Sequence, residues 1–202
     1  MRPSASLLDQ DDSDFLHTVD VNLGGTYRVT KAFLPLMLES PPDSDKTVVV
    51  LTSIGAQGVQ ENAAPYSIAK FALCRFSQFL MEEYGEKGVL SYAFHPGGIL
   101  TPLARNLPEN LHGECLVINF GACARVLVFA GKRELLTCFM CLQKVWLKDT
   151  PELASHSLAF LTSKKRTWLG GRYISANWDM PELVAMEEQV VGGNLLKFAM
   201  RE

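Results

Sequence analysis

Residues 53–70, SIGAQGVQENAAPYSIAK, carry a serine at 53, a tyrosine at 66 and a lysine at 70. On a helix the spacing of Tyr66 and Lys70 raises both side chains from one face, one turn apart. An unperturbed phenol titrates near pH ~10, and a neighbouring ammonium favours the phenolate, so Lys70 is expected to bring Tyr66 into the range useful for proton transfer. Ser53, placed at the exit of a strand, is suited to donate a hydrogen bond to a substrate carbonyl or its developing alkoxide. Together the three suit the interconversion of a carbonyl and an alcohol. Standing alone, a Y-x-x-x-K on a helix is usually an exposed pair worth about 0.2–0.5 kcal/mol.

The flanking elements place these groups. Ser13 or Asp14 is expected to cap a helix through FLHTVDVNLGGTYRVTKAFLPLML, residues 15–38, weakened at Gly24 and Gly25 and kinked at Pro35. KTVVVLTS, residues 46–53, reads as a strand buried on both faces, and hence as part of a parallel sheet. YSIAKFALCRFSQFLMEEYGEKG predicts a long helix ending near Gly85 or Gly88, with apolar residues around most of its circumference. VLSYAFHPGG predicts a second strand, PELASHSLAFLTS a helix, GGRYISANWD a last strand, and MPELVAMEEQVV a terminal helix. This alternation describes an α/β layered parallel sheet. Ligands of such sheets sit outside the carboxyl ends of the strands, where Ser53 and the HPGG turn would lie.

The 202 residues suit one domain, and a formal net charge of -3 with 20% charged residues offers no basic surface for nucleic acid or an anionic membrane. The expected partner is a small molecule. No apolar run has the length of a secretory signal or a membrane span, so a cytoplasmic location is expected. Five cysteines, four of them at 115, 123, 138 and 141, do not form a disulfide framework. Cys138 and Cys141 lie in an apolar stretch without further zinc ligands, and histidines 17, 95, 112 and 156 lack metal spacing, so no metal site is expected.

Five motifs in order, DVNLGGTYRVTKAFLP, VVVLTSIGAQG, YSIAKFALCRFS, FHPGGILTP and GGRYISANWD, resemble the carboxyl-terminal part of a short-chain dehydrogenase/reductase. The resemblance implies a Rossmann-like doubly wound parallel sheet, here truncated at the N-terminus and lacking the first strands. It implies a catalytic set of Asn22, Ser53, Tyr66 and Lys70. In that set Asn22 holds a water of the proton relay, Ser53 orients the substrate, Tyr66 is the general acid/base and Lys70 supports it. Tyr66 and Lys70 would also meet the cofactor, Lys70 at the nicotinamide ribose. Pro96, Gly97, Ile99 and Thr101 match the turn that contacts its nicotinamide end, and Lys31 matches a basic residue placed among cofactor contacts in some members. The implied reaction is hydride transfer between NADP or NAD and a ketone or secondary alcohol. The choice of cofactor is not readable, because the residue after the second strand that sets it is absent. The complete protein is expected to be a homo-oligomer, paired through the long helix and the helix before it. The motif wording is similar to filamentous-fungal members, which associates the chain with secondary metabolism.

Two departures stand out. Family members begin with a strand and a Gly-rich turn that receives the pyrophosphate, and no segment here corresponds, so the adenosine half of the site is expected to be missing. The strand over residues 46–53 would then keep an unpaired edge. Residues 113–143, GECLVINFGACARVLVFAGKRELLTCFMCLQ, replace a short variable region. Their ends are compatible with GTGAGT, CTGAC and CAG, the donor, branch and acceptor signals of a fungal intron. This segment is therefore expected to be a translated intron, with an apolar substrate lid as the alternative. The domain reading is one partial Rossmann-like domain over residues 1–202. The rival functional readings are a catalytically silent truncated relative serving as an interaction subunit, a misassembled gene product, and a dehydratase or epimerase on the same fold.

Overall fold

The computed structural model of the chain describes residues 5–101 and 148–199. Helix α1 (Asp12–Val19) begins at Asp11, whose carboxylate accepts a 3.1 Å hydrogen bond from the N–H of Asp14. The cap is thus two positions earlier than the nearer of the two expected from sequence, because Asp11 is the residue with extended backbone. Instead of one uninterrupted helix, α1 runs into a π turn over Asp20–Gly24, where the N–H of Gly25 donates to the carbonyl of Asp20. Helix α2 (Gly25–Glu39) continues from it and carries Pro35 in its interior. Gly24 suits the π turn: any side chain there would strike Asp20, which reaches over to Arg28 in a two-pronged ion pair at 2.9 and 3.0 Å.

Strand β1 (Lys46–Leu51) leads into the long helix α3 (Ala64–Tyr84), started by Pro65. The chain turns at Gly88, φ +86°, into strand β2 (Val89–His95). After residue 148 come helix α4 (Pro151–Thr162), strand β3 (Tyr173–Ser175), and two short helices, α5 (Met180–Ala185) and α6 (Glu187–Gly192). The strands form a parallel sheet in the order β1, β2, β3, with Lys46 opposite Val89, Leu51 opposite Phe94, and His95 opposite Ser175.

β2 is buried throughout because it has a strand on either side and helices on both faces. Its alternating side chains divide between two layers. Leu90, Tyr92 and Phe94 join Leu161 of α4, Ile174 of β3 and Leu183 of α5 in the larger core. Ser91 and Ala93 face α3: Ser91 Oγ lies 3.0 Å from Ser77 Oγ, and Ala93 packs with Cys74. Leu73 and Leu80 of α3 close over Val50 of β1, with Leu23 of the π turn alongside. β1 departs from the expected burial on both faces. Its middle residues are half-buried and Leu51 is exposed, because among the described residues β1 pairs on one side only. At the other edge, the N–H of Tyr173 donates to the carbonyl of Leu196, so the C-terminal tail covers β3.

The expected insertion at 113–143 and the four clustered cysteines lie outside the described residues. Of the described residues on either side, Ile99 and Asp149 form a parallel bridge.

Candidate active site

Ser53 follows the end of β1 in extended conformation (φ -152°) and caps a single 3-10 turn, Ile54–Ala56, through a 3.2 Å hydrogen bond from the N–H of Gly55 to its Oγ. That bond fixes the serine rotamer while using only an acceptor position, so the hydroxyl proton is available for another partner. Across Gly55, Tyr66 rises from the first turn of α3. A methyl group on Gly55 would lie 3.6 Å from both Ser53 Oγ and Tyr66 Cε1. The two side chains therefore flank one small space, which the glycine leaves open.

Lys70, one turn further along α3, has its Nζ 5.6 Å from the centre of the Tyr66 ring. The same Nζ donates a 3.1 Å hydrogen bond to the carbonyl oxygen of Leu51, the last residue of β1. Thr52 fastens the backbone beside it, donating through Oγ1 to the carbonyl of Lys70 at 2.8 Å. Burial lowers the Lys70 pKa from its ordinary value, with Cys74 acting in the opposite direction. The structure thus brings Ser53, Tyr66 and Lys70 to the junction of the β1 exit with α3.

Asn22 sits in the π turn, which packs on α3. Its Nδ2 donates to the carbonyl of Thr18 at 2.9 Å, and its own carbonyl accepts the Thr26 hydroxyl at 2.7 Å. Lys31 is exposed on α2, its Nζ 5.6 Å from the centre of the Tyr27 ring, and none of its contacts joins it to Ser53, Tyr66 or Lys70.

Pro96, Gly97, Ile99 and Thr101 form the turn that leaves β2. Gly97 has φ +95°, a conformation that disfavours any side chain. The N–H of Thr101 closes back on the carbonyl of Ile99 at 2.8 Å. Asp149 and Asn177, which sequence reasoning did not single out, hold this turn. The N–H of Gly98 donates to Asp149 Oδ2 at 2.6 Å, and Asn177 Nδ2 donates to the same oxygen at 2.8 Å. No local signal marks either residue, because their partner is a turn some 50 residues away from Asp149 in the chain.

His95, the last residue of β2, is 6% exposed and its ring stacks near that of Tyr173. Its Nδ1 finds no hydrogen-bond partner among the described residues. Burial pushes the imidazole pKa down to about 4, the charge of Asp149 pulling the other way. His95 is therefore neutral at neutral pH. Among the described residues no group of three or more His, Cys, Asp or Glu side chains is arranged to hold a metal, and no helix is long and apolar enough to cross a membrane. An apolar groove of about 580 Å³ lies elsewhere, between the π turn and α3, lined by Leu16, Val19, Leu23, Tyr27 and Phe76.

Residues 1–116 match the family model described as "Enoyl-(Acyl carrier protein) reductase". The chain is 37% identical over 191 residues to "Short chain dehydrogenase mpl6" of Monascus purpureus, covering 95% of this chain and 53% of that protein. It is 35% identical to "Short chain dehydrogenase pigC" of Monascus ruber, again over 95% of this chain and 52% of the other. The chain thus spans about half the length of the curated relatives it matches. Its backbone is similar to that of NADPH-bound carbonyl reductase from chicken fatty liver, with a TM-score of 0.59 at 14% identity, over 87% of this chain and 60% of that one. The parallel sheet, its flanking helices and the sequence similarity lead to one assignment: the chain belongs to the short-chain dehydrogenase/reductase family.

Proposed function

We propose that this protein is an NAD(P)-dependent oxidoreductase that interconverts a ketone and a secondary alcohol in the cytoplasm. The observation that carries this is the convergence of Ser53 Oγ and Tyr66 Cε1 on one side of Gly55, each 3.6 Å from where a methyl there would stand. Lys70 is held a helical turn away by the Leu51 carbonyl.

The donor set of the nicotinamide end fits such a cofactor: a lysine ammonium and a phenol on one helix face, next to a turn opened by Gly97. Lys70 would hold the ribose, and residues 96–101 would line the nicotinamide. Lys31 is assigned to the cofactor by family resemblance alone. For the pyrophosphate the described residues offer no Gly-rich turn between a strand and a helix. When bound, the cofactor supplies or accepts the hydride at the substrate carbon. In ketone reduction Ser53 donates its hydroxyl proton in a hydrogen bond to the substrate oxygen, and Tyr66 transfers its proton to that oxygen as negative charge develops. The phenolate left on Tyr66 is stabilised by the Lys70 ammonium, and protons return through water, which the family resemblance places at Asn22. Oxidation of the alcohol runs through the same groups in reverse.

A homo-oligomer formed through α2 and α3 belongs to the same proposal, supported by the exposed Phe33, Phe71 and Phe79 on these helices. The Monascus relatives support a fungal setting, and a role in secondary metabolism rests on the family resemblance alone. A second reading, a catalytically silent relative that acts as an interaction subunit, is favoured by the same exposed apolar side chains of α2 and α3, which would pair it with another chain.

Fluorescence titration of the purified chain with NADPH separates the two. Saturable binding, with reduction of a ketone panel that Tyr66→Phe abolishes, supports the oxidoreductase. A chain that leaves NADPH fluorescence unchanged and turns over no carbonyl supports the silent subunit.

A further inference from the structure

Asp149 lies outside the Ser53, Tyr66 and Lys70 group, yet it is bound on every side to the turn that leaves β2. Its Oδ2 accepts from the N–H of Gly98 at 2.6 Å and from Asn177 Nδ2 at 2.8 Å. Its own N–H donates to the carbonyl of Gly98 at 3.0 Å, and it bridges in parallel to Ile99. A methyl on Gly97 would stand 2.7 Å from the same Oδ2, so the carboxylate fills space that only a glycine leaves. Asn177 is steadied in turn by Ser175, whose Oγ accepts its N–H at 3.3 Å.

The path of this turn is otherwise weakly determined. Gly97 and Gly98 have the widest conformational freedom of any residue type, and the regular ladder of β2 ends at His95. A carboxylate receiving two N–H donors forms charge-assisted bonds, roughly twice as strong as neutral ones, and selects one path among many. Because Asn177 lies two residues beyond the end of β3, the clasp also locks the exits of β2 and β3 to each other.

We propose that Asp149 is a positioning residue that, with Asn177, sets the path of residues 96–101 and so the face they present to the cofactor. The cofactor part rests on the function proposed above. The clasp itself does not.

The test uses the full chain with Asp149→Ala, Asp149→Asn and Asn177→Ala. Hydrogen exchange of the peptide spanning residues 95–101 reads the turn, and NADPH titration reads its consequence. Both hydrogen bonds reach a single oxygen, so the amide oxygen of Asp149→Asn is able to accept both without charge. Asp149→Ala is expected to speed exchange in the turn about tenfold or more, with α3 and β2 unchanged. Asn177→Ala should give a smaller rise and Asp149→Asn should restore most of the protection. NADPH affinity should follow the same order, with a loss of about tenfold in Asp149→Ala. Unchanged exchange in the turn, or exchange that rises equally through β2 and α3, overturns the positioning role. If the unsubstituted chain binds no NADPH, the oxidoreductase function fails, and the exchange data alone decide the clasp.

Discussion

Lys70 Nζ donates a 3.1 Å hydrogen bond to the carbonyl oxygen of Leu51, tying the helix that carries Tyr66 to the end of the strand that precedes Ser53. A point charge with three donors is able to hold this carbonyl and still face a ribose or a phenolate. Lys70→Ala is expected to lower kcat/KM for ketone reduction by about 10²-fold or more. Lys70→Arg should recover little, because the planar guanidinium does not reproduce the ammonium's geometry. Steady-state kinetics of the reverse alcohol oxidation across pH 6 to about 9 check this, since a Tyr66 deprived of its cation should need a higher pH to work as a base.

His95 gives a stability term of known sign. Its folded pKa of about 4 lies below its ordinary 6.5, so the unfolded chain binds more protons between those values. The contribution is fully present above the ordinary value, declines as pH falls toward about 4, and amounts to roughly 3 kcal/mol at most. Urea denaturation at pH 7 and pH 4.5 should show a steeper loss for the unsubstituted chain than for His95→Asn. Equal losses would mean that the imidazole is accessible to protons in the folded state.

Cys74 is expected to resist alkylation. Burial pushes its thiol up to about 11, while the Thr52 hydroxyl at 3.3 Å and the nearby Lys70 act the other way. At pH 8 almost no thiolate is present and the residue is 2% exposed, so iodoacetamide should leave the Cys74 peptide unmodified until denaturant is added. Peptide mapping by mass spectrometry reads this site apart from the four cysteines of residues 113–143.

Gly97→Ala should destabilise the chain by about 1–3 kcal/mol, because the new side chain must sit at positive φ and against Asp149. Gly58→Ala, where nothing lies within 4 Å of the added methyl, is the control and should be nearly neutral. Thermal denaturation of the two variants makes the comparison.

The elements that show regular periodicity were legible in the chain. The β-branched run before Ser53, the long apolar helix through Tyr66 and Lys70, and the strand ending in HPGG each fall within a few residues of their observed bounds. The π turn at Asn22 was not, because Gly24 and Gly25 read only as weak helix formers and the register change depends on the Asp20 to Gly25 hydrogen bond. Burial of β1 was overread. A β-branched sequence reports what a strand is able to bury, whereas its actual exposure depends on how many neighbours pair with it.

By itself the sequence determined the identity and order of the Ser53, Tyr66 and Lys70 groups and the alternation of strand and helix that sets their spacing, since local periodicity encodes both. Only the tertiary structure decided that Ser53 and Tyr66 flank the same glycine, that Lys70 is anchored on Leu51, and that Asp149 and Asn177 hold the turn after β2. Those relations join residues far apart in the chain, and they exist because parallel pairing brings the carboxyl ends of β1, β2 and β3 to one side of the sheet.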